Sequence, residues 1–552
     1  MTREHGIKSG SIEQKQDGPR RVAFLALGSM GDCLPLLALA ASLANSDVPS
    51  VTTTAVVTHA CHCNLLQALM QNTFEAVEPP PRLCHVDIPV LFGGTTTSSN
   101  TTSATADETA AVPEDKDKCG DKQDAVFTEL DACMRVLEDI KPEILVFNLF
   151  SAFGYHLADA LGIPCLCASP GVPPSGGGVP IERVLPRALL ERIDEIDERM
   201  DSGKCCSIPS GDEVTRADLD LWMLPLFHPQ YSRWRRARGL QPIASSSALP
   251  RAPPILFGVS PTVLPRPGYW PAKADVCGFW SFPRLSPKYQ PPERLARFLT
   301  KCEAEGKPVF VVGLGSMPEL GLVKNPNRIL ETAVVCLRRA GAAVVLLPTD
   351  AAAAAEKQPK ISEEFDISHA KIVKDLRGRP TSQIQLWLCF DVCLSCTSHT
   401  DRFSFVPRAS RRMHGMSADA AVLDLSGEAF VPHKWLLPRC RGIVHHGGSG
   451  TTGAALSAGI VQLVIPLAFD QFFFADQMGY IGVGVRVEGT RPRRSLVAEG
   501  DGVTEVGLEQ ALRLVLSEGC VKAAGRYREL LADEDGVEAA RAKISAIVDS
   551  HG

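Results

Sequence analysis

Long apolar runs are missing from this chain of 552 residues. None reaches the roughly 20 residues that a bilayer-crossing helix needs, and the longest candidates are broken by glycine or proline, so no transmembrane segment is expected. An excess of positive charge is missing as well. Lys and Arg number 57 against 63 Asp and Glu, a net charge of −6, which gives no electrostatic reason to expect nucleic acid as a partner. Residues 1–20 are polar and mixed in charge, without the apolar centre of a secretory leader, so a cytoplasmic protein is expected. Cysteine is not scarce, but the 18 thiols are scattered through a long chain with no export signal. They are expected to be reduced, small apolar core residues rather than a disulfide framework.

Two cysteine groupings resemble metal motifs. Cys389, Cys393 and Cys396, with His399 close by, have the spacing of a cluster-binding site, but they lie where periodicity is poor and no barrel pattern surrounds them. Cys61-His62-Cys63 is spaced too tightly to give two ligands to a tetrahedral zinc ion, and reads as part of a helix following a strand. No metal site is expected.

A chain of this length is too long for one ordinary core, and 45% hydrophobic with 22% charged residues describes a globular protein of two domains. Strands alternate with helices along it. Residues 21–27 read as a buried strand that feeds Gly28-Ser29-Met30-Gly31-Asp32-Cys33-Leu34-Pro35 and a helix at 36–43. Further strands are read at 51–58, 143–147, 165–168 and around 253–261, with helices at 64–70, 125–140, 153–161 and 181–200. Residues 1–20 are polar and mixed in charge and 93–121 have almost no large apolar side chain, and they are expected to be a disordered tail and loop. A proline-rich connector covers 263–290. The second half opens with a strand and a glycine loop ending Gly313-Leu314-Gly315-Ser316-Met317, then a helix at 327–340 and a strand at 342–347.

The stretch that organises the chain lies at 430–478. A short strand at 442–444 runs into His445-His446-Gly447-Gly448-Ser449-Gly450-Thr451-Thr452-Gly453, a helix follows, and Gly459 stops it. A second strand at 461–465 opens into Asp470-Gln471. In an open α/β sheet both loops leave the carboxyl ends of neighbouring strands, where such folds bind ligands. Glycines there let the backbone approach a bulky anion, and amides at a helix N-terminus aim positive potential at it, so a diphosphate fits. His446 and Thr451 add donors, while Asp470 and Gln471 suit sugar hydroxyls. Residues 448–453 also match G-x-G-x-x-G, with Asp470 about 20 residues onward. A nicotinamide-dependent oxidoreductase is therefore an alternative, weakened by the late position of the motif and by two histidines with no part in hydride transfer.

Phe430-Val431-Pro432-His433-Lys434-Trp435, the His-His-Gly-Gly-Ser-Gly-Thr-Thr-Gly loop and Phe469-Asp470-Gln471 together resemble the donor-binding signature of UDP-dependent glycosyltransferases. The resemblance is closest to the sterol 3-beta-glucosyltransferase branch, with antibiotic glycosyltransferases more distant. It implies an α/β fold of the GT-B kind, two facing Rossmann-like domains with parallel sheets. Residues 21–262 would bind the acceptor and 291–552 the UDP-sugar. It also implies an inverting, metal-independent transfer of a sugar, glucose by analogy, to a hydroxyl of a lipophilic acceptor, a sterol by preference. No cofactor is implied beyond the donor substrate, and no Asp-x-Asp pair stands in a loop suited to a metal.

Asp32, matching the Asp of the branch's Gly-Ser-x-Gly-Asp motif, is the expected catalytic base, with Ser29 and Gly31 beside it. It could equally be a helix cap. Many relatives use His there, paired with a later Asp; Asn148 stands near where such a partner is expected. The diphosphate would meet His446, Gly447, Gly448, Ser449, Gly450 and Thr451, with Ser316 touching it from the second half's first loop. Phe430 occupies the register of the stacking aromatic and Trp435 is a second candidate. Two features depart from the pattern. Residues 375–428 form an atypical insert, either genuine or unspliced coding sequence, and Ser169-Pro170-Gly171 is unlike what a sterol enzyme would carry. A catalytically inactive UDP-sugar binder is thus a further alternative, and a lipid-facing cleft in peripheral contact with a membrane is a hypothesis.

Overall fold

The computed structural model describes residues 20–44, 51–76, 79–87, 118–172, 229–241, 253–266, 273–318, 323, 325–347, 421–425, 430–468, 470–487 and 502–550. The first half contains β1 (Arg20–Leu25), α1 (Met30–Ala44), β2 (Val51–His59), α2 (Ala60–Asn72), β3 (Arg82–Val86), α3 (Lys118–Ile140), β4 (Ile144–Phe147), α4 (Gly154–Leu161), β5 (Cys165–Ser169), α5 (Pro229–Ala237), β6 (Ile255–Phe257) and β7 (Ala274–Val276). The second contains α6 (Glu293–Ala304), β8 (Val309–Gly313), α7 (Pro326–Arg339), β9 (Ala343–Leu346), β10 (Val422–Asp424), α8 (His433–Leu436), β11 (Gly442–His445), α9 (Ser449–Ala458), β12 (Val461–Val464), α10 (Gln471–Tyr480), β13 (Gly484–Arg486), α11 (Glu505–Val515), α12 (Glu518–Leu530) and α13 (Gly536–Ser550).

Two sheets result, one of seven strands in the order β3-β2-β1-β4-β5-β6-β7 and one of six in the order β10-β9-β8-β11-β12-β13, and the strands pair in parallel throughout both. Strands covered by helices on both faces must be apolar along their whole length. Accordingly β4 (ILVF), β8 (VFVVG), β9 (AVVL) and β12 (VQLV) are buried at every position. In each sheet the order of strands reverses at one place, between β1 and β4 and between β8 and β11. The loops at these two switch points diverge and leave a crevice at the carboxyl edge, the usual seat of a ligand. These are the two Rossmann-like halves that the sequence predicts.

Several boundaries differ from expectation. α1 starts at Met30 rather than 36, so Asp32 lies in its first turn, and Pro35, beyond that turn, is inside the helix and supplies no N–H to it. The connector contains β7, which extends the first sheet beyond β6; three residues among prolines show no periodicity. The last residues of the insert form β10, an edge strand paired with β9 from Val422 to Asp424. α3 begins at Lys118, inside the expected loop, because polar residues extend a helix without needing a buried face. The helix expected at 181–200, the three cysteines at 389–396, Phe469 and nearly all of both expected disordered segments lie outside the described residues.

The two halves are bound at one side. Phe473 and Phe474 of α10 belong to the same core cluster as Phe153, Phe257 and Val259 of the first half. α13, the end of the chain, returns to the first sheet and packs Val537, Ala540, Ile544 and Val548 with Leu36 and Leu39 of α1. Gln477 donates to the Val263 carbonyl at 2.6 Å, and Glu534 accepts from the hydroxyls of Ser260 and Thr262.

Candidate active site

On the first half, Gly28 leaves β1 with φ of +106°, open to glycine at little cost, and a Cβ there would lie 2.9 Å from an Asp32 oxygen and 3.1 Å from Phe150. Phe150 follows β4, so the β1 and β4 loops meet at the switch point. Asp32 accepts from the Ser29 amide at 2.9 Å and the Ser29 hydroxyl at 2.7 Å. An acid at the third helical position reaching back to the cap residue's amide is half of a capping box. Asp32 is therefore a cap and, at the same time, a carboxylate at the crevice. Burial pushes its pKa from 3.8 up to about 6, against the lowering effect of both Ser29 bonds. Asn148 is not its partner. Its amide donates to the Leu27 carbonyl at 2.7 Å and its oxygen accepts from the Ser151 amide and hydroxyl, fastening the β4 loop to the β1 loop.

On the second half, His445 and His446 have separate tasks. His445, 1% exposed, receives the Gly447 amide on Nδ1 at 3.1 Å and faces the Gln462 side-chain oxygen through Nε2 at 3.0 Å. Nδ1 must be the acceptor, which places the proton on Nε2 of a neutral ring. Burial, aided by His446, lowers its pKa to about 3. This pin fixes the sharp turn at Gly447, whose φ is +93°. It also consumes the Gly447 amide, so that residue shapes the loop instead of donating to an anion. The amides of Gly448, Ser449, Gly450 and Thr451, by contrast, have no partner among the described residues, as expected at the start of α9.

His446 lies between two glycine backbones. A Cβ on Gly315 would sit 2.6 Å from its Cε1, and one on Gly448 2.5 Å from its Nε2. The loops after β8 and β11 thus converge on one imidazole, with Ser316 next to Gly315. Its Nδ1 is buried without a hydrogen-bond partner among the described residues. Burial, with His433 nearby, lowers its pKa to about 4, so it is neutral at pH 7. A buried nitrogen without a partner beside four free amides is where an anion would repay the cost of desolvation.

Asp470 and Gln471 part company. Gln471, 3% exposed, accepts the amides of Leu467 and Ala468 at 2.9 and 3.0 Å and donates to the Met317 sulfur at 3.0 Å. Its side-chain oxygen builds the turn, and its amide nitrogen keeps one N–H beyond the Met317 contact. Asp470 faces the first half, and burial, with the Asp32 charge, raises its pKa to about 7. The two carboxylates therefore sense one another across the crevice. Trp435 packs edge-on to Tyr289, with the Arg439 guanidinium 4.4 Å from its ring centre, which makes it a wall of the fold. Phe430 is 39% exposed and is the aromatic left available for stacking. Gly453, last of the literal G-x-G-x-x-G, is inside α9 and a Cβ there would meet the Phe279 ring at 2.6 Å. The motif stands on the fourth strand of its half, not the first, unlike the dinucleotide fingerprint.

The fold is GT-B. Solved structures similar to it include the glycosyltransferase of kitacinnamycin, with TM-score 0.52 at 16% identity over 96% of this chain and 99% of that one. The spinosyn forosaminyltransferase is similar at TM-score 0.52 and 14% identity, with the same coverage. Residues 424–527 match the C-terminal domain family of erythromycin biosynthesis protein CIII-like proteins. The chain is also similar to sterol 3-beta-glucosyltransferases, at 27% identity over 348 residues for that of Leptosphaeria maculans and 27% over 235 residues for that of Candida albicans. Those alignments cover 62% and 43% of this chain but only 18% and 12% of the relatives, so it spans a small part of their length. The resemblance that the donor signature carries is thus found along both halves of this GT-B chain. Among the described residues no helix is long and apolar enough to cross a membrane, and no group of His, Cys, Asp or Glu is arranged to hold a metal. The described cysteines are all free.

Proposed function

We propose that this chain is an inverting glycosyltransferase that moves a sugar, glucose by preference, from a UDP-sugar to a hydroxyl of a lipophilic acceptor, with sterols the favoured class. The observation that carries the reading is the second-half switch point, where, among the described residues, the buried His446 Nδ1 and four amides at the start of α9 have no hydrogen-bond partner. Preorganised donors of this kind stabilise charge as it develops on a departing diphosphate. They supply this without a metal, which is why the transfer is proposed to be metal-independent.

In the reaction, Asp32 takes the proton of the acceptor hydroxyl, the oxygen attacks the anomeric carbon from the face opposite the nucleotide, and the bond from that carbon to the diphosphate oxygen breaks. One bond forms as one breaks, and UDP leaves with both electrons. The configuration at the sugar carbon inverts. Asp470 is assigned to the sugar hydroxyls, Phe430 to the uracil face, and Ser316 and Thr451 to the phosphates; Gln471 and Gly447 support the loops. The glycosyltransferase resemblance supports the reaction class, and the sterol relatives support the acceptor class.

The test is incubation of the pure chain with labelled UDP-glucose and a lipid extract, followed by identification of the product. A glycosylated lipid that disappears with Asp32→Asn is expected. UDP binding with no product, unchanged by Asp32→Asn, would leave an inactive binder, and thermal protection by NAD(P) but not UDP would favour the oxidoreductase.

A further inference from the structure

The turn that follows β5 reaches across the crevice and touches two residues of the donor signature. Ser449 donates its hydroxyl to the Pro170 carbonyl at 2.7 Å. The Val172 amide and the amide of Asp470 itself both favour the charged form of the Asp470 carboxylate as backbone donors, against the burial that raises its pKa. Between these contacts, Gly171 comes so close that a Cβ on it would lie 2.1 Å from an Asp470 oxygen. The turn is itself braced, since the Ser169 hydroxyl donates to the Gly171 carbonyl at 2.8 Å. Gly171 has no left-handed backbone that would require glycine; what excludes a side chain there is the carboxylate alone.

We propose that the Pro170-Gly171-Val172 turn is a clasp, by which the acceptor half holds the Asp470 carboxylate in the donor-free chain, and that sugar hydroxyls of a bound nucleotide sugar displace it. The inference rests on the transferase reading, in which Asp470 binds the sugar. A carboxylate in a desolvated crevice is costly unless hydrogen-bonded, so it exchanges one donor for another rather than standing free. The Val172 amide satisfies it before the donor arrives, and a sugar hydroxyl does so afterwards. UDP lacks the hydroxyls that would compete, so it occupies the diphosphate loop and leaves the clasp shut. The donor's sugar is thereby what frees the turn, and the acceptor side responds to a complete donor rather than to the nucleotide product.

Hydrogen exchange at the Val172 amide of the full chain reads this directly. A slow amide is expected in the free wild-type chain and with saturating UDP, at least about tenfold faster with saturating UDP-glucose, since a hydrogen-bonded amide exchanges only on opening. Gly171→Ala, which forces the carboxylate aside, should speed the same amide without any nucleotide. Ser169→Ala, which only unbraces the turn, should do so to a smaller degree and serves if the first variant folds poorly. An amide that is already fast in the free wild type overturns the clasp, as does one released equally by UDP and UDP-glucose. Calorimetry on the same samples separates the two failures: no heat with either nucleotide removes the transferase reading together with the exchange of partners, whereas normal binding with an unresponsive amide removes the clasp alone.

Discussion

Asp32 accepts two hydrogen bonds that favour its charged form, yet burial outweighs them and leaves its pKa at about 6. A carboxyl raised in this way binds its proton more tightly in the folded chain than in the unfolded one. Its favourable contribution to folding is present below pH 3.8 and is lost as pH rises through about 6. Asp32→Asn, which can still accept from Ser29, should therefore raise the melting temperature by a few degrees at pH 7.5 and by less at pH 5, while turnover falls by about 10²-fold or more, as for loss of a general base. Calorimetric melting at the two pH values, beside the transfer assay, checks both halves of this. In the wild type kcat/KM should decline on the acid side near pH 6. His446 behaves in the opposite sense. Its pKa of about 4 in the free chain must rise when a diphosphate sits against it. UDP should accordingly bind several-fold tighter at pH 5.5 than at pH 7.5, and His446→Gln should remove that dependence; titration calorimetry with UDP at both pH values decides it.

The unit from β11 through the glycine loop to α9 is local in sequence, which is why so much of it could be read in advance. The apolar strand, the loop and the helix stop at Gly459, with φ of +69°, follow from short-range rules of burial and left-handed glycine, whereas the helix starts at Ser449, ahead of the expected opening at Thr451 and Thr452. What could not be read is which amide goes where. Only the fold shows that Gly447 serves His445 and that its φ of +93° sets the turn. Gly447→Ala should cost about 1–3 kcal/mol of stability from backbone strain. Its Cβ would also lie 2.8 Å from a Val464 methyl carbon and 3.0 Å from the Gln471 carbonyl. A weaker UDP complex and a lower denaturation midpoint should appear together, because one distortion causes both. The loop-fastening bonds of Gln471 and Asn148 were not legible for the same reason: an amide side chain looks equally able to bind a ligand or to fasten a loop until its neighbours are known. A sequence hint existed in Ser151, three residues after Asn148, the spacing of a cap, and in the tight Ala468-x-x-Gln471 turn.

At the scale of the molecule, the two halves are joined by the return of α13 to the first sheet and by Phe473 and Phe474 lodged in the first half's core. Ala540, 0% exposed between α13 and the first sheet, is the place to test that junction. Ala540→Asp would bury an unpaired charge, a change expected to cost about 3 kcal/mol or more. Scanning calorimetry should then show the first half melting at lower temperature, separated from the second, where a single transition is expected of the wild type. The clasp belongs to this scale too, since Pro170 and its partner Ser449 are 279 positions apart along the chain. The sequence by itself determined the two α/β halves and the loops that carry the donor signature, because each rests on residues a few positions apart, but not β7, β10 or the three helices that close the second half. The tertiary structure alone decided which polar groups remain free for a ligand, where the last helix goes, and how the acceptor half grips Asp470. Those depend on which distant side chains burial brings into contact, and no short-range pattern encodes that.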